Sequence, residues 1–145
     1  MSSFPSRSSH LKAFGIGMVL ALLGVGAYFQ FWSSPDLPTV TVYKSPSCNC
    51  CGEWVTHMKE QGFPVEVSSL AACHTAVVDN YVVEGHVPAQ DVKQLLRETP
   101  DVRGLSVPGM PVGSPGMERG DRVEPYEVVT FTPAGDTTVF AQYGR

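Results

Sequence analysis

The stretch Thr39-Val-Thr-Val-Tyr-Lys-Ser-Pro-Ser-Cys-Asn-Cys-Cys51 decides the fold of this protein. Residues 39–44 are β-branched and alternating, which is typical of a strand, and the turn residues 45–47 end it. From Cys48 to Gln61 the apolar side chains recur at helical spacing, and Gly62 is a good helix stop. The sequence therefore predicts a strand, a tight turn and a helix, with cysteines at the turn.

Four short elements follow this unit. Residues 63–67 are predicted to form a second strand. Residues 75–78 and 81–84 flank Asp79-Asn80, which tolerate positive φ, and so predict a hairpin. An amphipathic helix is predicted over residues 88–98, with proline at its first position. This order is that of thioredoxin without the helix between its second and third strands.

The predicted fold class is α/β, with a thioredoxin-like sheet and flanking helices, shortened between the second and third strands. In such a sheet the first strand lies between a parallel second strand and an antiparallel third strand. The shortened link must cross two strand spacings, about 10 Å, and five residues, 68–72, reach at most roughly 17 Å. A short arch passing next to Cys48 is therefore feasible.

The C-terminal part combines a loop with a second hairpin. Prolines and glycines over residues 104–117 exclude a regular element and predict a long shaped loop. Residues 126–131 and 137–143 alternate in polarity around a turn at residues 133–136. We therefore expect a C-terminal β-hairpin.

Residues 1–35 are predicted to target the chain to a membrane. Arg7 and Lys12 precede an uncharged apolar run. Two interpretations fit this run: a cleaved signal peptide, with a small-residue processing site at residues 25–27, or an uncleaved anchor. Both place the domain of residues 36–145 across the membrane, and we expect a periplasmic protein.

Composition limits the classes of partner. The 145 residues allow one compact domain and an N-terminal extension. The net charge is −4, and the basic residues are scattered, so the sequence lacks the basic patch that nucleic acids require. We expect a metal ion as partner, no nucleic acid, and membrane contact only through the N-terminal segment.

The chemistry is concentrated in Cys48, Cys50 and Cys51. An exported domain favours disulfides, yet cysteines this close together constrain little of the chain. Thiols at a helix N-terminus favour the thiolate, which binds metals and exchanges disulfides. Cys48 and Cys51 alone have the C-x-x-C spacing of a thiol oxidoreductase. A simple redox pair does not need Cys50, so this third cysteine favours metal binding. Clustered thiolates suit Cu(I) or Zn(II).

Four further residues are candidate ligands. Cys73 opens the third strand and faces the C-x-x-C pair in a thioredoxin arrangement, where it could complete a four-sulfur site; a disulfide or simple burial is the alternative. His86 stands at the entrance of the second helix, where it could equally be exposed. Met110 and Met117 carry thioethers that suit Cu(I), although core or loop packing also explains them.

Two other histidines are weaker candidates. His74 alternates away from Cys73 if both lie in a strand, so one of the two should miss the site. His57 is on a flank of the first helix and is expected to be solvated.

Four motifs, in order, resemble those of a known family: Ser45-Pro-Ser-Cys-Asn-Cys-Cys-Gly-Glu-Trp54, Cys73-His-Thr-Ala-Val-Val78, Tyr81-Val-Val-Glu-Gly-His-Val-Pro88 and Val107-Pro-Gly-Met-Pro-Val-Gly-Ser-Pro-Gly-Met-Glu118. Over residues 39–143 the chain resembles the CopG-like copper-resistance proteins. The resemblance implies an exported thioredoxin-like domain that binds copper through Cys48, Cys50, Cys51 and Cys73. The chain departs from the family before Cys73, where a further helix is usual.

The resemblance also implies a function. We expect a periplasmic copper-binding protein that contributes to copper resistance and homeostasis through Cu(I), with interconversion of Cu(I) and Cu(II) as a further role. Copper-efflux or copper-chaperone proteins are the expected protein partners. Two alternatives remain: a thiol–disulfide oxidoreductase using Cys48 and Cys51, and a structural zinc domain.

Overall fold

The computed structural model describes residues 36–69 and 74–144. These residues contain seven strands and two helices. Their order is β1 (Val40–Lys44), α1 (Asn49–Glu60), β2 (Val65–Ser69), β3 (Thr75–Val78), β4 (Tyr81–Glu84), α2 (Ala89–Glu98), β5 (Gly104–Ser106), β6 (Tyr126–Phe131) and β7 (Thr137–Tyr143). The predicted targeting segment, residues 1–35, lies outside the described residues, and so do most of the predicted arch and Cys73. No helix within the described ranges is long and apolar enough to cross a membrane.

The strands form one mixed sheet in the order β2-β1-β3-β4-β5-β6-β7. β1 lies between β2, which is parallel, and β3, which is antiparallel, as predicted. The β3–β4 hairpin is also confirmed, and Asp79 at its turn has a positive φ of 51°. The fold is α/β and is consistent with the thioredoxin-like class.

Alternate residues of the sheet are buried against both helices. The core combines these strand residues with apolar side chains of α1 and α2, including Val40, Val42, Ala76, Val78, Val83, Leu105, Trp54, Met58, Val92 and Leu95. Burial of large apolar side chains stabilises a domain by roughly 1.5–3 kcal/mol each. This packing fixes the end of β1 against the start of α1, where the cysteines lie.

Two predictions about strands were wrong: the limits of β2 are shifted, and β5 was not predicted at all. β2 begins and ends two residues later than predicted, at Val65 and Ser69. The stretch from residue 104 was predicted to lack regular structure, yet β5 pairs with β4 and β6 and joins the C-terminal hairpin to the main sheet. At Gly104 a side chain would collide with the Val82 carbonyl, so glycine here permits close strand pairing rather than marking a loop.

Candidate metal centre

Three cysteine sulfurs converge where β1 passes into α1. Cys48 is the N-cap residue of α1, with extended backbone angles of φ −81° and ψ 100°, and Cys50 and Cys51 lie in the first turn. The sulfurs of the three residues all lie within 4.8 Å of one another. Nζ of Lys44 donates hydrogen bonds to the Ser45 carbonyl at 3.0 Å and to the Cys48 carbonyl at 3.5 Å, so a positive charge stands beside this cluster.

The sulfur chemistry depends on oxidation. Cys48 and Cys51 form a disulfide, with their Cα atoms 5.4 Å apart, while Cys50 is a free thiol whose sulfur lies 3.5 Å from that of Cys48. Disulfide sulfurs are not thiolates, and the thiolate is the form that binds metal. The cluster therefore offers one thiol when oxidised and three when reduced.

A cavity of about 400 Å³ opens beside the cysteines. Its other lining residues come from the β3–β4 hairpin, the end of β5 and the loop that follows, and include His74, Glu84, His86, Ser106 and Met110. The sulfurs thus face a space large enough for ions and small ligands.

His74 is one of the buried histidines of this cavity, with 6% of its surface exposed. Its Nε2–H donates to the Gly85 carbonyl at 2.8 Å, and its ring centroid lies 4.9 Å from that of Trp54. Desolvation, reinforced by the neighbouring His86, lowers the pKa of His74 from 6.5 to about 4. The ring is therefore neutral at pH 7.

His86 is the second buried histidine, 2% exposed. Its Nδ1–H donates to the Pro115 carbonyl at 2.8 Å, and its ring lies edge-on to His74 with 5.0 Å between centroids. Burial lowers the pKa of His86 as well. The hydrogen bond also ties the long loop after β5 to the end of the β3–β4 hairpin.

The same loop packs directly on α1. Gly116 has a φ of +84°. A Cβ atom there would lie 2.7 Å from the backbone nitrogen of Trp54 and 2.8 Å from the carbonyl oxygen of Cys50. Only glycine combines this backbone conformation with so close an approach. Met110 of the same loop, 63% exposed, lines the cavity, whereas half-buried Met117 does not.

Two other predictions on single residues have different outcomes. Cys73 lies outside the described residues, so the four-sulfur site stays a prediction. His57 is not simply solvated: it is half-buried, and its Nε2 accepts the Ala89 N–H at 3.1 Å. That amide is among the first of α2, which have no partner within the helix, so His57 has a structural role there.

The residue that sequence reasoning undervalued is His74. Strand alternation would point Cys73 and His74 to opposite sides of the sheet if both lay in a strand. β3 begins only at Thr75, so this rule does not apply to His74. The predicted two-residue turn already sets the register of the hairpin, which pairs Thr75 with Glu84. That register brings His74 next to Gly85 and near His86. The proximity of His74 and His86 could therefore have been predicted from the turn of the hairpin.

The donor chemistry fits copper. Three clustered sulfurs, once reduced, are soft ligands that suit Cu(I), with zinc as a lesser match. Two buried imidazoles and one exposed thioether line the adjacent cavity. The arrangement supports two kinds of chemistry, namely soft-metal binding and disulfide exchange.

Comparison with known proteins points the same way. Two solved structures of copper resistance protein copG, Form 2 and Form 1, are similar to this chain, with TM-scores of 0.70 and 0.69. Each is 41% identical over 74% of this chain, and the match covers 99% and 98% of their own lengths. A family model described as a protein of unknown function, DUF411, matches residues 70–117. No match is found among the curated proteins.

Proposed function

The chain belongs to the CopG family of copper resistance proteins, and from this premise we propose that it binds Cu(I) through the C-x-C-C cluster of Cys48, Cys50 and Cys51. The observation that carries the proposal is the convergence of the three sulfurs within 4.8 Å at the start of α1. In the reduced protein these are three thiols, and sulfur ligands of this kind, bound as thiolates, match a soft monovalent ion better than they match Zn(II). Its contribution to copper resistance would be to buffer or pass on Cu(I).

The proposal includes a wider ligand set and a location. Cys73, His86 and Met110 are the proposed additional ligands, whereas Met117, the fourth predicted ligand, does not line the cavity in the disulfide form. Residues 1–35 would export the domain of residues 36–145 to the periplasm, either as a cleaved signal peptide or as an anchor. Copper-efflux or copper-chaperone proteins would be its partners there. Cell fractionation tests the location, and a cytoplasmic protein would contradict it.

Redox cycling of copper is a further part of the proposal. Oxidation of the Cys48 and Cys51 thiols to a disulfide releases two electrons and two protons. The two electrons would reduce two Cu(II) ions to two Cu(I) ions, and an external thiol reductant would regenerate the dithiol. The disulfide between these residues supports this pairing.

The same disulfide favours one second candidate, a thiol–disulfide oxidoreductase. Cys48 is half-buried and would be the attacking thiol, while Cys51, 2% exposed, would be the resolving thiol. In this function Cys50 would be dispensable, because the pair exchanges disulfides without it. Cys50 therefore separates the two functions.

The decisive experiment is Cys50→Ser, tested by competition with a calibrated Cu(I) chelator in the anaerobic, reduced protein. We expect the affinity for Cu(I) to fall at least about tenfold, which corresponds to about 1.4 kcal/mol. Ser47→Ala, at an exposed neighbour of the cluster, is the matched control and should leave the affinity unchanged. Unchanged Cu(I) binding, together with strong insulin reduction by the wild type, would instead support the oxidoreductase.

A further inference from the structure

The cavity contains a second kind of donor beside the sulfurs. We propose that His74 and His86 form a nitrogen site for Cu(II), which binds the divalent ion when Cys48 and Cys51 are joined as a disulfide. The inference deepens the proposed copper function and rests on it, since it names the residues that bind the other oxidation state. Its support is the hydrogen bond that holds each imidazole ring, the short distance between the two rings and their place in the cavity lining.

Each ring is held by one nitrogen and has one nitrogen left over. Nε2 of His74 is bonded to the Gly85 carbonyl, and Nδ1 of His86 is bonded to the Pro115 carbonyl. Because a carbonyl only accepts, these two nitrogens carry the protons. In the neutral rings the lone pairs are therefore on Nδ1 of His74 and Nε2 of His86.

The remaining nitrogens belong to two residues that both line the cavity beside the sulfurs. Neither nitrogen makes a hydrogen bond to another described residue. Both side chains are more than nine-tenths buried, so their exposed surface is small. A histidine that donates one N–H to a carbonyl and directs its other nitrogen to an ion is the usual arrangement at protein metal sites.

The rest of the surroundings keep the pair in place. The ring of Trp54 packs on His74, and the Trp54 Nε1–H donates to the Val87 carbonyl at 2.8 Å. The 5.0 Å separation of the two imidazole centroids is short enough for both to approach one ion after small ring movements. The pair is thus largely preorganised, which lowers the entropic cost of binding.

Oxidation state then selects the donors. In the disulfide form the sulfurs of Cys48 and Cys51 are lost as ligands, and Cys50 is the remaining thiol among the described residues. Imidazole suits Cu(II), whereas thiolates and thioethers suit Cu(I). The oxidised protein should therefore bind Cu(II) through nitrogen, and the reduced protein should bind Cu(I) through sulfur.

The test uses the full chain with its disulfide intact, titrated with Cu(II) ions alone. Pulsed electron paramagnetic resonance of the wild type should show the remote nitrogens of two imidazoles. The double variant His74→Gln/His86→Gln should lose this signal and bind Cu(II) at least about tenfold more weakly. The matched control is His10→Gln/His57→Gln, which removes the other two histidines of the chain and should keep both the signal and the affinity.

Two results would overturn the inference: a wild-type Cu(II) spectrum without imidazole nitrogens, or a spectrum whose imidazole signal disappears in the His10→Gln/His57→Gln control instead. The wild-type measurement does not depend on the folding of any variant. Cu(I) competition in the reduced protein separates this inference from the proposed function. Tight Cu(I) binding without Cu(II)–imidazole signals refutes only the inference, and the reverse result refutes only the proposed function.

Discussion

The sulfur cluster (Cys48, Cys50 and Cys51) and the imidazole pair (His74 and His86) line one cavity but differ in how they are held. The sulfur cluster is contiguous in sequence and changes covalently, from a disulfide with one thiol to three thiols. The imidazole pair flanks the β3–β4 hairpin, and backbone carbonyls fix both rings. A site with one convertible half and one fixed half keeps metal donors in either redox state.

Trp54 connects the two halves. It belongs to α1, the helix that carries the cysteines, and it is fully buried while its ring packs on His74. Its indole N–H also reaches the Val87 carbonyl, one residue beyond His86. Changes at Trp54 should therefore disturb both halves together.

The largest expected effect is that of Trp54→Ala. Removing a buried indole leaves a cavity, and we expect the free energy of unfolding of the metal-free protein to fall by about 3–5 kcal/mol in urea denaturation. Trp54→Phe should cost less, about 1–3 kcal/mol, because it mainly leaves the Val87 carbonyl without its donor. Thr56→Ala, at an exposed position of the same helix, is the control. A loss below about 1 kcal/mol for Trp54→Ala would show that the connection is unimportant.

The next effect is a dependence of stability on pH that arises at His74. Its pKa is 6.5 when unfolded and about 4 when folded, so between these values only the unfolded state binds the proton. Stability should therefore fall as the pH drops from about 6.5 to about 4, by at most about 3 kcal/mol, since each pKa unit is worth about 1.4 kcal/mol.

The measurement is urea unfolding of the metal-free protein at pH 7 and pH 4, compared with His74→Gln. Carboxyl groups contribute to the slope in both proteins, so the difference between the slopes isolates His74. The variant should lose less stability on acidification. Identical losses in the two proteins would show that burial of His74 does not disfavour its protonation.

The smallest effect is that of the contact between α1 and the loop that contains Met110, measured as the difference between two glycine substitutions. Gly116 and Gly109 both have positive φ, +84° and +75°, but only at Gly116 would a Cβ meet neighbouring atoms. Gly109→Ala should cost about 1–2 kcal/mol of unfolding free energy through its backbone conformation alone. Gly116→Ala should cost about 1–3 kcal/mol more, because the loop must move off α1. If urea denaturation gave the same loss of unfolding free energy for Gly116→Ala and Gly109→Ala, the close contact of Gly116 with Trp54 and Cys50 would not resist a side chain.

The outcome at particular elements shows what could be predicted. The β1–α1 unit and both hairpins were predicted because alternation, helical spacing and turn residues are local signals. β5 was missed because its three residues form a strand only between β4 and β6. The role of His74 was undervalued because it depends on the register of two strands rather than on its own neighbours in sequence.

The sequence by itself determined that three cysteines stand at the start of a helix, because Cys48, Cys50 and Cys51 are adjacent and their placement needs only local structure. Only the tertiary structure decided that His74, His86 and Met110 reach the same cavity, since they come from a hairpin and a loop that are distant along the chain. The orientation of the rings depends on the carbonyls of Gly85 and Pro115. Such contacts form only when the whole sheet has paired, and no local pattern encodes them.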